Sequence, residues 1–188
     1  MMIVTGTGRC GTGYMAECFR QRGIRAGHEA VFTPEGFKIP VNVMVESSWM
    51  AVPYLKHLNS PVVVVQRDPT ECVVSLASQK GLFERPFSKY GEYLWKHCPG
   101  LTGSGYEAAA QFYLEWNERL EGYPRYKIEE VDVDEIIEDW GLRPTRDGET
   151  VSRRFNTRPK PQGVDLEKVL TAETFQRLSH VVYGYASY

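Results

Sequence analysis

The chain has 188 residues, 42% of them apolar and 24% charged, which suits a single globular domain over residues 1–188 that buries its own core. Its 22 Lys and Arg nearly cancel 24 Asp and Glu, so no overall field favours nucleic acid or an anionic membrane, and any cationic site must be local. The longest apolar run covers about five residues, 61–65, far short of the roughly 20 that span a bilayer.

The first six residues are too short a stretch for a secretory signal. Cys10, Cys18, Cys72 and Cys98 show no C-x-x-C spacing. The expectation is a cytoplasmic protein with reduced thiols, no zinc and no membrane span.

Short β-branched runs alternate with segments of helical period, the pattern of a mostly parallel sheet of about four to five strands with helices on both faces. A first strand over residues 2–5 runs straight into a Gly-rich turn over 6–13. A helix is predicted over 12–22, because Met15, Cys18, Phe19 and Arg22 share helical spacing and Gly23 supplies a left-handed stop. Strands are predicted over 24–27 and 41–46, with 32–40 between them as loop. The four valines at 62–65 do not alternate with polar residues, as in a strand buried on both faces, and they are placed at the middle of the sheet. Asp68 as N-cap, Pro69 at the first helical position and Glu71 at the third predict a helix over 69–80 closed by Gly81.

Residues 82–105 mix aromatics, Pro86, Pro99 and glycines without a period, which reads as a long excursion over the sheet, the kind of segment that carries substrate contacts. Ser104 and Glu107 spell a capping box, opening a helix with Ala109, Phe112, Tyr113, Trp116 and Leu120 on one stripe. A last strand is predicted over 125–129, and helices over 133–140 and 172–182 flank an Arg- and Pro-rich loop over 143–163.

A strand, a Gly-rich turn and a helix in succession aim backbone N–H groups and a positive helix end at one point, which suits phosphate or a similar anion. Gly6-x-x-x-x-Gly11-Thr12 approaches the nucleotide-triphosphatase loop, but Thr12 stands where that loop has lysine and Gly13 where it has the Mg²⁺-binding hydroxyl. Arg9 instead brings a planar cation suited to an oxyanion. Two alternatives stay open at this point. One is an ordinary turn without ligand; the other is a dinucleotide site, since Gly6, Gly8 and Gly11 spell G-x-G-x-x-G.

Gly8, Arg9, Cys10, Gly11, Thr12 and Gly13, followed by Tyr14 and Met15, resemble the 5′-phosphosulfate loop of the sulfotransferases. That family moves a sulfuryl group from 3′-phosphoadenosine 5′-phosphosulfate (PAPS) to an acceptor. Cys10 replaces the family's usual serine and Gly13 a second hydroxyl residue. Residues 66–75 resemble the family's 3′-phosphate motif, with Arg67 at a strand end and Ser75 on the next helix. Weaker likeness extends over 46–49, 126–130 and 183–185.

The resemblance implies a P-loop-type three-layer α/β domain, closer to Golgi-type and bacterial relatives than to cytosolic ones. It implies PAPS as donor, 3′,5′-ADP as product, no metal, and a small-molecule, glycan or lipid acceptor. Arg9 and the turn amides would neutralise charge at the sulfate and bridging oxygen. Arg67 and Ser75 would hold the nucleotide. Glu29, or His28 beside it, would serve as general base. Arg153 and Arg154 in the late loop would close over the 3′ phosphate. The excursion aromatics Phe83, Phe87, Tyr90, Tyr93 and Trp95 would offer an acceptor surface. The competing functions are a nucleotide kinase or phosphohydrolase, and a nucleotide-binding module without turnover.

Overall fold

A computed structural model describes residues 1–39, 42–85, 87–144 and 163–186. β1 (Met2–Thr5) is buried throughout and leads through the Gly-rich turn into α1 (Thr12–Gln21). β2 (Ala26–His28) returns alongside, followed by a hairpin of β3 (Phe32–Thr33) and β4 (Gly36–Phe37). β5 (Val45–Ser47) precedes a 3₁₀ segment, Trp49–His57, and then β6 (Val62–Gln66) and α2 (Pro69–Ala77). α3 (Lys89–His97) and α4 (Gly105–Glu118) lead to β7 (Arg125–Lys127), and α5 (Val133–Asp139), α6 (Leu166–Val169) and α7 (Ala172–Ala186) complete the described elements.

Five strands form one all-parallel sheet in the order β2-β5-β1-β6-β7. The pleat sends alternate side chains to opposite faces. Met2, Val4, Val63 and Val65 therefore pack with Met15, Phe19 and Ile136, on the face covered by α1 and α5. Ile3, Val62 and Val64 pack with Cys72, Val73, Phe112 and Trp116 on the face covered by α2 and α4. A strand between two helical layers must be apolar at every position, and this is why the valine run does not alternate. The result is a three-layer α/β fold. No helix among the described residues is long and apolar enough to cross a membrane.

The chain leaves β1 toward β5 and β2 on one side, then crosses to β6 and β7 on the other. In an open parallel sheet, the carboxyl ends of strands at such a reversal frame a ligand crevice. Here the reversal brings the turn after β1 beside the residues after β6.

Several expectations are corrected. The middle strand is β1, and the valine strand β6 lies beside it. Residues 32–37 are a hairpin rather than loop, held by Phe32 packed against Phe37 and Tyr54 at ring-centroid distances of 5.6 Å each. The 82–105 excursion contains α3, started by Ser88 accepting from the Gly91 N–H, with Tyr93 and Leu94 in the core. The Ser104 capping box does not close: Ser104 makes no side-chain cap bond, and Glu107 turns instead to Thr171 and Thr174 at the start of α7. α2 ends at Ala77, short of the expected 80, and the second and third strands lie a few residues later than their apolar runs suggest.

Candidate functional site

The turn after β1 is shaped by two left-handed residues, Arg9 at φ 71° and Gly11 at φ 105°. Gly11 has no alternative there, because a Cβ would also stand 2.7 Å from Ile128 Cγ1. As N-cap of α1 it has no side chain to occupy the first-turn amides of Thr12 and Gly13, which lack intrahelical acceptors. Those amides and the positive helix end converge on the turn. Cys10 turns its thiol into the core and is 1% exposed, so only its backbone belongs to the turn. Cys72 on α2 holds the turn from below: its thiol donates to Gly8 O at 3.2 Å and lies 3.2 Å from Thr7 Oγ1. Burial pushes that thiol up to about 12.

Arg67 follows β6, and Asp68 caps α2 by accepting from the Glu71 N–H at 2.8 Å. Glu71 then takes the Arg67 fork through Oε2, at 3.1 Å from Nε and 2.6 Å from Nη2. The pair aims the guanidinium and at the same time sets a carboxylate beside it. Arg9 reaches across to α2 and donates its Nε to Ser75 Oγ at 3.1 Å.

Gly8, Arg9, Gly11, Thr12 and Gly13 share one cleft of about 490 Å³ with Arg67, His28 and Glu29. His28 ends β2. Its Nδ1 lies 2.8 Å from Ser47 O; a carbonyl only accepts, so Nδ1 carries the proton and Nε2 presents a lone pair when the ring is neutral. A Cβ on Gly13 would lie 3.2 Å from that Nε2. Glycine at 13, where the sulfotransferase loop has a hydroxyl residue, thus leaves room for the imidazole.

Glu29 sits at φ 53°, a conformation that costs a non-glycine residue on the order of 1 kcal/mol or more and is held only by its surroundings. Glu46 does the holding. It is fully buried on β5, and its Oε1 accepts from the N–H of Ala30 at 2.8 Å and of Val31 at 3.0 Å. Burial raises the Glu46 pKa despite these bonds. Glu29 Oε1 lies 4.0 Å from His28 Nε2, while Oε2 accepts from the Tyr90 hydroxyl at 2.9 Å. Burial, then the neighbouring Glu29 charge, pushes Tyr90 up to about 12, so it stays a neutral donor at physiological pH.

Of the residues singled out in the sequence, Gly8, Arg9, Gly11, Thr12, Gly13, Arg67, His28 and Glu29 line the cleft, and Ser75 meets it through Arg9. Trp49 lines it as well while packing edge-on against Tyr93 and Phe112. The excursion aromatics divide. Tyr90 enters the cleft, whereas Phe87 stacks on Trp95 at 5.5 Å beside a separate surface groove. Arg153 and Arg154 lie outside the described residues. Sequence reasoning missed three contributors: Cys72, Glu46 as the brace of the Glu29 turn, and the Tyr90 bond. Only Glu46 carried a signal, a carboxylate directly after the apolar run Val43-Met44-Val45.

No protein-family model matches the chain, no curated protein matches it, and no solved structure matches it.

Proposed function

We propose that the protein is a PAPS-dependent sulfotransferase. The observation that carries this reading is the single cleft lined by both the Gly-rich turn and Arg67, which lie far apart in sequence. Its donor set fits a bisphosphorylated nucleotide: helix-start amides and Arg9 at one anchor, the Arg67 fork at the other, each suited to an oxyanion. PAPS, when bound, supplies the sulfuryl group and departs as 3′,5′-ADP.

Arg9 and the turn amides neutralise the charge that grows as the leaving oxygen separates; loss of one such preorganised donor costs about 2.7–4 kcal/mol in barrier. Arg67, aimed by Glu71, holds the second anionic end. Glu29 receives the acceptor proton, with His28 beside it as the second proton-holding group. A kinase or phosphohydrolase reading is disfavoured by Thr12 and Gly13, which cannot supply the lysine and the metal-binding hydroxyl of triphosphate chemistry.

The deciding experiment is a thermal shift with 3′,5′-ADP against ATP plus Mg²⁺. At 100 times its Kd, a ligand stabilises by about 2.7 kcal/mol, a rise in Tm of roughly 5–10 °C for a chain of this size. A shift with 3′,5′-ADP supports the transferase; a shift with ATP·Mg²⁺ alone refutes it. Sulfated product with PAPS then separates an enzyme from a binding module.

A further inference from the structure

The start of α3 is fixed against the chain just past α2. Gly91 lies so close to it that a Cβ there would overlap Gly81 O and stand 3.0 Å from Leu82 O. Glycine alone lets the two segments meet this way. Ser88 donates to the same Gly81 carbonyl through its N–H at 2.8 Å and its hydroxyl at 3.2 Å. One turn on, the Tyr93 hydroxyl donates to Met50 O at 2.7 Å, and Leu94 is fully buried. Tyr90 stands between these anchors, so a helix pinned at both sides, rather than a free loop, delivers its hydroxyl to the cleft.

That hydroxyl donates to Glu29 Oε2 at 2.9 Å. Glu29 is thereby held at both ends, its left-handed backbone by Glu46 through the next two N–H groups and its carboxylate by Tyr90. The other oxygen, Oε1, lies 4.0 Å from His28 Nε2, too far for a hydrogen bond between them. One oxygen or nitrogen atom has room to stand within hydrogen-bond reach of both. A base must have the atom that gives up its proton at that distance.

We propose that Tyr90 is a positioning residue for proton transfer: its hydroxyl fixes Glu29 Oε2 and so presents Oε1, beside His28 Nε2, to the acceptor's hydroxyl or amine. The inference rests on the sulfotransferase reading with Glu29 as base. In the step it serves, the acceptor atom forms a bond to sulfur and its proton passes to Glu29 Oε1. The bond from sulfur to the donor's bridging oxygen breaks, and its electron pair leaves with 3′,5′-ADP. Tyr90 keeps its own proton throughout. A hydrogen bond donated to a carboxylate favours the ionised form, so Tyr90 also keeps the base ready to receive. The charges that act on its hydroxyl are Glu29 and, less strongly, Glu35, which Lys89 pairs at 3.4 Å; on the far side of the carboxylate stands His28.

The test begins with the full chain without ligand. Carbon-13 NMR follows the glutamate carboxyls against pH, with Glu29 assigned by the signal lost in Glu29→Gln. In Tyr90→Phe that signal is expected to titrate about one pH unit higher than in the unaltered protein, the worth of one hydrogen bond to a charged group. Tyr93→Phe is the control: it also removes a hydroxyl bond of α3, but one made to Met50 O, and the Glu29 titration is expected to stay in place. An unmoved titration in Tyr90→Phe overturns the proposal. So does an equal movement in both variants, which would make the effect one of α3 packing. In turnover with PAPS and ethanolamine, which offers a hydroxyl and an amine, the acid limb of the kcat profile is expected to move up by the same amount in Tyr90→Phe. A limb that stays while the NMR signal moves denies Tyr90 its part in transfer. Failure of 3′,5′-ADP to bind strikes the transferase reading instead and leaves the NMR result standing.

Discussion

Arg9, in the turn after β1, donates its Nε to Ser75 Oγ on α2 at 3.1 Å. The two residues belong to separate sequence motifs, 66 positions apart, and in the folded chain they touch. The contact ties the turn after β1 to α2: Ser75 orients the Arg9 guanidinium, just as Glu71 orients that of Arg67.

Arg67→Ala removes a fork that neutral residues cannot replace, and 3′,5′-ADP is expected to bind about 10- to 100-fold more weakly, the worth of charge-assisted hydrogen bonds. Glu71→Gln removes the carboxylate that competes with the nucleotide for that fork, so binding is expected to tighten by several-fold. Calorimetric titration of both variants checks the pair. A weaker Glu71→Gln complex means that orientation outweighs charge competition.

Glu29→Gln is expected to leave 3′,5′-ADP affinity within about twofold and to lower turnover by 10²-fold or more, the usual worth of a positioned base. Full turnover with any acceptor removes Glu29 from the base role.

Gly13→Ala adds a methyl 3.2 Å from His28 Nε2. The imidazole is pinned at Nδ1 by Ser47 O, so it has little freedom to give way. The expected result is a loss of roughly 1–3 kcal/mol in stability, as for overpacked sites. Measured by urea titration, the loss should disappear when Gly13→Ala/His28→Ala is compared with His28→Ala alone, where the clashing ring is gone.

All four cysteines are buried and unpaired. Burial pushes Cys72 and Cys98 up to about 12 and Cys10 higher still. Because the thiolate is the reactive form, Cys10, Cys72 and Cys98 are expected to resist iodoacetamide at pH 8 in the native protein and to react once it is unfolded in urea. Peptide mass spectrometry reads the outcome. Rapid native labelling of Cys72 would mean that the turn above it opens easily.

Glu107 ties α7 to α4: it accepts from Thr171 N at 2.8 Å, Thr174 Oγ1 at 2.6 Å and Gln111 Nε2 at 2.7 Å. Burial alone would raise its pKa, but these bonds outweigh burial and lower it. A carboxyl with a depressed folded pKa contributes stability that is present above its ordinary value of 4.5 and is lost as pH falls through the folded value. Glu107→Gln is therefore expected to lower Tm at pH 7, and the difference from the unaltered protein is expected to shrink progressively as the pH falls below 4.5. Equal Tm at pH 7 would show that α7 is held by packing alone.

Much of this was legible from residue order, where the cause is local. β1, the turn and α1 follow from an apolar run, a glycine cluster and helical spacing, and their bounds agree with the structure to within a residue. The start of α2 follows from Asp68 and Pro69, which act on their own turn. What was misread depends on distant partners. α3 hides its period behind Gly91 and scattered aromatics, and becomes a helix because Tyr93 and Leu94 find the core. Glu107 has the spacing of a capping residue, yet hydroxyls 64 and 67 residues away offer it better bonds.

The sequence by itself determined the layering and the candidate anion-binding residues, because hydrophobic period, glycine and proline act over one or two turns of chain. Only the tertiary structure decided that the turn, Arg67 and Glu29 share a cleft, that Glu46 and Cys72 brace it, and that a tyrosine hydroxyl rests on Glu29. The parallel sheet makes that decision: it brings the carboxyl ends of strands far apart in the chain to one edge, and no local pattern encodes which side chains meet there.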